Sequence, residues 1–136
     1  MTEKRIFRVA AFAMIIAALL FAMPMEAKKK KAEISFTETN YKFGSIPMKG
    51  GKVSHEFEFE NTGDANLVIL DAKADCGCTV PEYPKNPIAP GKKGKIRVTY
   101  DPTNRPGGFT KVITVTSNAK TKKSRVKITG TVNPNK

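Results

Sequence analysis

Hydrophobic and polar residues alternate along most of the chain after residue 32. The clearest run is residues 53–60, where Val53, His55, Phe57 and Phe59 occupy one set of alternate positions and serine or glutamate occupies the other. Successive side chains of a strand point to opposite faces, so this pattern predicts a β-strand with one buried face.

The same two-residue period recurs along the chain, and no segment after residue 32 has a helical period. Turn signals rich in Gly, Pro, Asn and Asp separate the segments. We therefore predict an all-β fold, an immunoglobulin-like antiparallel β-sandwich of about seven strands. The predicted strands are residues 33–38, 41–46, 53–60, 67–72, 95–101, 109–115 and 125–132.

Two segments depart from simple alternation. Residues 67–72 are nearly all apolar, which is typical of a central strand buried on both faces. Residues 81–90 contain four prolines, and because proline cannot donate to a β-ladder they predict an edge strand or a loop. The side chains expected in the core are Phe57, Phe59, Leu67, Ile69, Ile96, Val98, Ile113, Val115 and Ile128.

The polar positions of two strands carry opposite charges. Residues 53–60 present Glu56, Glu58 and Glu60 on the outward face, and residues 95–101 present Lys95 and Arg97. Opposite charges stabilise neighbouring antiparallel strands. We therefore predict that the two strands are antiparallel neighbours, with glutamates beside the basic residues.

The first residues have the layout of a secretory signal peptide: a basic start, an apolar stretch at residues 9–23, Pro24, and then small residues. The apolar stretch is shorter than the roughly 20 residues that span a bilayer. We predict a signal peptide at 1–27, a basic linker at 28–32 and one domain at 33–136. The protein is then exported to the periplasm or the extracellular space. Four lysines after the cleavage site make an uncleaved anchor the alternative.

The candidate chemistry is concentrated in Cys76-Gly77-Cys78, which contains both cysteines of the chain. A glycine between them can adopt φ > 0 and bring the sulfurs together, and thiols oxidise outside the cytoplasm. Cys76 and Cys78 are therefore candidates for a disulfide, for a redox-active thiol pair or for a Cu(I) site. The plainer interpretation is a local clip or two small buried side chains.

Other sites are disfavoured by the residues present. A structural zinc site needs four ligands, whereas the chain has two cysteines and one histidine. His55 lies on the apolar face of its strand, so we expect a hydrogen-bonded core histidine rather than a ligand or a partner of a cysteine nucleophile. The chain has no phosphate-binding loop and no zinc-protease or serine-hydrolase signature. We expect no catalytic residues and no cofactor.

The chain has 136 residues and a formal net charge of +12. The basic clusters lie on turns and outward strand positions without interleaved aromatic residues, which argues against nucleic acid as a partner. We expect a protein or cell-envelope partner, and contact with an anionic surface such as lipid headgroups or acidic polysaccharide is the charge-based alternative to a merely solvated face.

Four pieces occur in an order that resembles a bacterial family of exported domains of unknown function, number fifteen seventy-three. They are residues 57–63 (FEFENTG), 76–79 (CGCT), 87–91 (PIAPG) leading to 100–102 (YDP), and 105–109 (RPGGF). That family is similar to the ASH and major-sperm-protein-like immunoglobulin folds. The resemblance implies a β-sandwich, export and no established activity. We predict a non-enzymatic binding or structural module; the alternative is a small thiol protein that handles redox equivalents or Cu(I).

Overall fold

The computed structural model describes residues 29–136, so the predicted signal peptide at 1–27 lies outside the described residues. The described part forms eight strands and no helix. It therefore contains no helix long and apolar enough to cross a bilayer. The strands are β1 (Ile34–Phe36), β2 (Asn40–Pro47), β3 (Val53–Asn61), β4 (Ile69–Ala74), β5 (Thr79–Glu82), β6 (Lys93–Tyr100), β7 (Gly107–Ser117) and β8 (Lys123–Asn133).

The strands form two four-stranded sheets. Sheet A has the order β1-β3-β6-β5 and sheet B the order β2-β8-β7-β4. Their inner faces share one hydrophobic core, which confirms the predicted immunoglobulin-like β-sandwich. All nine predicted core side chains are buried. Five of the six strand pairs are antiparallel, but β2 pairs with β8 in parallel, which the sequence pattern did not indicate.

The predicted pairing of the acidic and basic strands is confirmed. β3 and β6 are antiparallel, with Glu56 opposite Arg97 and Glu58 opposite Lys95. Their inward residues alternate with these charges, which places Phe57 and Ile96 in the core. The register therefore satisfies the apolar and the charged face at once.

The prediction of a central strand at residues 67–72 is wrong, because β4 lies at the edge of sheet B. Leu67 precedes the strand and is buried. Its backbone forms an isolated antiparallel β-bridge with Ile88. The register shifts between Ile69 and Asp71, so Leu70 is an extra residue opposite β7 and is 58% exposed. Such a bulge turns one apolar side chain to solvent, and a continuous apolar run is not a sure sign of a central strand.

The prolines at residues 81–90 have the predicted consequence. Only Thr79–Glu82 forms a strand there, and β5 is the edge of sheet A. The folded unit begins slightly before the predicted boundary at residue 33. Ala32 is buried, its carbonyl accepts a hydrogen bond from the Lys120 N–H, and the Lys31 N–H donates to Asp64.

Candidate functional site

The Cys76-Gly77-Cys78 stretch forms the corner at which the chain passes from sheet B to sheet A. It joins β4 and β5, which are the edge strands of the two sheets on this side of the sandwich. Cys76 and Cys78 are linked by a disulfide, with their Cα atoms 5.1 Å apart. The Thr79 N–H donates to the Cys76 carbonyl and closes a turn around the ring.

From the sequence, a positive φ at Gly77 was expected to bring the sulfurs together, but the φ of Gly77 is not positive. The positive-φ glycines of the described residues are Gly44, Gly51, Gly91 and Gly107. A turn whose central residues are Gly77 and Cys78 can close with negative φ at both, as type I turns do. A Cβ added at Gly77 would meet no atom within 4 Å. The disulfide is thus compatible with a side chain at this position.

The corner is fixed to the neighbouring strand. The Asp101 N–H, directly after β6, donates to the Cys78 carbonyl at 2.9 Å. Cys78 is buried, Cys76 is half-buried, and the Cys78 sulfur lies 3.6 Å from the Thr79 hydroxyl. A cavity of about 200 Å³ adjoins this corner, with Lys52 and Asp101 among its lining residues.

Two titratable groups beside the corner have shifted pKa values. Hydrogen bonds from Thr103 lower the pKa of Asp101, with a smaller contribution from Lys52. Burial raises the pKa of Tyr100, whose ring stacks on Phe109 at 4.0 Å between centroids.

In the disulfide form neither sulfur is a thiolate, and the thiolate is the species that attacks substrates or binds Cu(I). Among residues 29–136, no group of three or more His, Cys, Asp or Glu side chains converges as metal ligands do. The Cu(I) and thiol hypotheses for Cys76 and Cys78 therefore apply only to a reduced pair. The clip is the chemistry that this arrangement carries as it stands.

His55 is half-buried between the two sheets. Its ring stacks on Tyr41 of β2 with 3.6 Å between centroids, and meets Phe57 edge to face. Its Nε2 atom pairs with the Glu38 carboxylate. A histidine with these partners packs and hydrogen-bonds at the margin of the core, as we predicted.

Asn61 is a structural residue that the sequence analysis did not single out. It is fully buried, and its amide nitrogen donates to the carbonyls of Ala65 and Ile88, both at 2.8 Å. Its side-chain oxygen accepts from the Gly63 and Glu33 N–H groups. Asn61 thus ties three segments together. The asparagine in the FEFENTG piece was the only signal for it in the sequence.

The outer face of sheet A has balanced charges. Lys93 pairs with Glu58 and Lys95 with Glu56, each at 3.3 Å. Glu82 on β5 lies opposite Arg97. An open groove of about 570 Å³ runs across this face. The acids that line the groove are Glu56 and Glu58 on β3 and Glu82 on β5, and they do not converge as metal ligands do.

The outer face of sheet B differs. The acidic residue on the described strands of this face is Asp71, whose carboxylate lies 3.7 Å from the Lys73 ammonium group. Within residues 29–136, none of the other basic side chains of this face makes a salt bridge. The strand register places five basic residues on this face: Lys42, Lys73, Lys123, Arg125 and Lys127. We call them the basic face.

Threonines separate these cations. The register aligns Arg125, Thr114 and Lys73 in one row across the sheet. Lys42, Thr129 and Thr110 form another row. Lys127 instead lies between Asn40 and Val112. The sequence alone did not reveal this surface, because four separate strands contribute to it.

The family model described as "Protein of unknown function (DUF1573)" matches residues 34–132. No curated protein matches the chain in sequence. A crystal structure of a protein of unknown function from Porphyromonas gingivalis W83 is similar, with a TM-score of 0.66, 15% identity, and coverage of 81% of this chain and 51% of that chain.

Two further structures share the fold. The ASH/PapD-like domain 7 of human CEP192 has a TM-score of 0.56 at 12% identity and covers 82% of this chain and 94% of that domain. The YadV chaperone has a TM-score of 0.53 at 14% identity, with 74% and 52% covered. This chain spans about half the length of the Porphyromonas protein. At these identities the similarities show the sandwich fold alone.

Proposed function

We propose a function from the premise that this chain belongs to the DUF1573 family, whose model spans residues 34–132. The protein is an exported, non-enzymatic binding module that holds an anionic component of the cell envelope on the basic face of sheet B. The observation that carries the proposal is the contrast between the two outer faces. On the outer face of sheet A, Lys93 and Lys95 form salt bridges with Glu58 and Glu56, whereas four cations of sheet B lack an acidic partner among residues 29–136.

The sheet edges are poorly suited to binding a partner by strand addition. β1 has three residues. β2 is interrupted by a register shift around Gly44, and β4 by its bulge at Leu70. β5 contains Pro81. Short length, bulges and proline all block pairing with a further strand, which favours a face as the binding surface.

The proposed location outside the cytoplasm is supported by two independent features. One is the signal-peptide layout of residues 1–27. The other is the disulfide between Cys76 and Cys78, since disulfides persist in oxidising compartments. N-terminal sequencing of the exported protein should give a start near Lys28. A start at Met1 would contradict cleavage.

Two charge-matched triple variants test the binding face. In Lys42→Gln/Arg125→Gln/Lys127→Gln the basic face loses three charges. In Lys93→Gln/Lys95→Gln/Arg97→Gln the outer face of sheet A loses the same number. Each protein is sedimented with native envelope fragments at physiological salt, and its melting temperature is checked first.

We expect the sheet B variant to remain in the supernatant and the sheet A variant to sediment like the wild type. An equal loss in both variants would mean that binding follows net charge and not a face. Undiminished binding of the sheet B variant would also overturn the proposal.

A further inference from the structure

The structure also suggests which kind of anion the basic face holds, an inference that rests on the proposed function. We infer that the partner is an acidic polysaccharide whose carboxylate or sulfate groups lie along β8. Lys123, Arg125 and Lys127 follow one another at every second position of this strand and share its outer side. Two residues of a strand rise about 6.5 Å, so the three cations form a straight, evenly spaced row.

A row of this kind fits a linear polymer with charges at regular intervals better than it fits a single compact ion. Lys42 extends the row sideways, because it lies beside Thr129, the next outward position of β8. Lys73 lies two strands away in line with Arg125. The cations are thus spread over three strands, β2, β8 and β4, rather than gathered around one point.

Hydroxyl groups lie beside two cations of the row. Thr114 and Thr116 on β7 lie beside Arg125 and Lys123. A threonine hydroxyl both donates and accepts hydrogen bonds, which matches the hydroxyl groups of a sugar ring. Acidic polysaccharides carry sugar hydroxyls and anions together, and this face offers partners for both.

The face also contains a depression. A cavity of about 460 Å³ opens where Gly44 and Gly108 lack side chains, and Lys42, Thr110, Thr129 and Thr131 lie around it. The φ of +72° at Gly44 favours glycine there. The depression has room for one sugar unit beside the charged row. At Gly44 and Gly108 the sugar would approach the backbone closely, because these residues have no side chain.

The same face is less suited to a membrane or to nucleic acid. Among residues 29–136, the exposed large apolar side chains are Leu70, at the rim of sheet B, and Val80, on the edge of sheet A. A surface helix or sheet that enters the headgroup region needs several such residues. The outward strand positions of sheet B contain no aromatic ring, and single-stranded nucleic acid needs rings for base stacking.

The test uses defined probes on the full exported chain, measured by isothermal titration calorimetry at physiological salt. Polygalacturonate supplies carboxylates, dextran sulfate supplies sulfates, and neutral dextran is the uncharged control. Vesicles with and without phosphatidylglycerol test the membrane. The variant Lys123→Gln/Arg125→Gln/Lys127→Gln removes the row, and Lys93→Gln/Lys95→Gln/Arg97→Gln is its charge-matched control.

We expect wild-type protein to bind at least one acidic polymer and not dextran, and the β8 variant to lose about tenfold or more in affinity because three charge-assisted contacts are removed. The carboxylate and sulfate arms identify the anion. Thr114→Val with Thr129→Val should weaken binding at unchanged charge, whereas Thr99→Val on sheet A should not.

Binding to anionic vesicles without binding to either polymer would overturn the inference and leave the proposed function standing. Equal weakening in both charge variants, or no effect of the threonine substitutions, would likewise overturn it. Failure of the wild type to sediment with native envelope would instead remove the proposed function itself.

Discussion

Glu56 and Lys95 form an ion pair at 3.3 Å across β3 and β6 although they are not direct partners in the register. Lys95 lies opposite Glu58, and Glu58 in turn pairs with Lys93. The contacts are therefore diagonal, as the reach of long side chains on adjacent strands allows. Each lysine thus contacts the glutamate next to its register partner, so both ion pairs are offset in the same direction along the acidic row.

A double-mutant cycle tests the strength of this pair. Glu56→Gln and Lys95→Gln should show a coupling of about 0.2–0.5 kcal/mol in urea unfolding at low salt, because both side chains are largely exposed. The coupling should shrink at high salt, where exposed charges are screened. A coupling that is independent of salt would mean that the pair is more buried than its exposure indicates.

Two glycines should respond in opposite ways to alanine. A Cβ at Gly94 would lie 2.5 Å from the Phe59 ring and 2.9 Å from the Ile88 side chain, both in the core. Gly94→Ala should therefore lower the free energy of unfolding by about 1–3 kcal/mol through overpacking. Gly77→Ala meets no atom and should change stability by less than about 1 kcal/mol, with a tendency to stabilise. Thermal and urea unfolding of both variants measure this; equal losses would contradict it.

The parts of the fold that were predictable are those that depend on strand alternation. Phe57 and Ile96 lie in the core, and their strands are neighbours, because one register satisfies both the apolar and the charged face. The parallel pairing of β2 with β8 was not predictable in this way. Only three residues separate β1 from β2, yet the chain passes from sheet A to sheet B there. The local sequence does not indicate which distant strand pairs with β2.

The candidate site was predictable only in part. Cys76 and Cys78 stand out by composition, but a strand pattern does not decide between a disulfide and free thiols. The basic face was less visible. Lys123, Arg125 and Lys127 alternate in the sequence, whereas Lys42 and Lys73 join them only through the neighbours of β8 and β7. The bulge at Leu70 shows the same dependence on tertiary pairing.

Tyr100 should make the protein sensitive to alkaline pH. Burial raises its pKa above the ordinary value of about 10, so the folded state retains the proton where the unfolded chain has lost it. The stability from this group is fully present below about pH 10 and is lost as pH rises toward the folded pKa. In urea unfolding at a series of pH values from about 8 to about 11, the stability of the wild type relative to Tyr100→Phe should stay constant up to about pH 9 and fall above about pH 10. A constant difference throughout would contradict the shift.

The Cys76–Cys78 pair should act as a local clip, so Cys76→Ser/Cys78→Ser should lower stability and leave binding unchanged. A ring closed by so few residues restricts the unfolded chain little, and we expect a loss of about 1–2 kcal/mol. The buried Cys78 is held by the Asp101 N–H through its backbone carbonyl, which the substitution retains. Envelope binding should persist because the corner lies between the sheet edges and not on the basic face.

Reduction of the wild type should reproduce the loss of stability, and the double variant should not respond to reductant. If the variant instead melts like the wild type but loses binding or copper, the pair serves chemistry rather than packing, since a clip cannot be removed without a cost in stability.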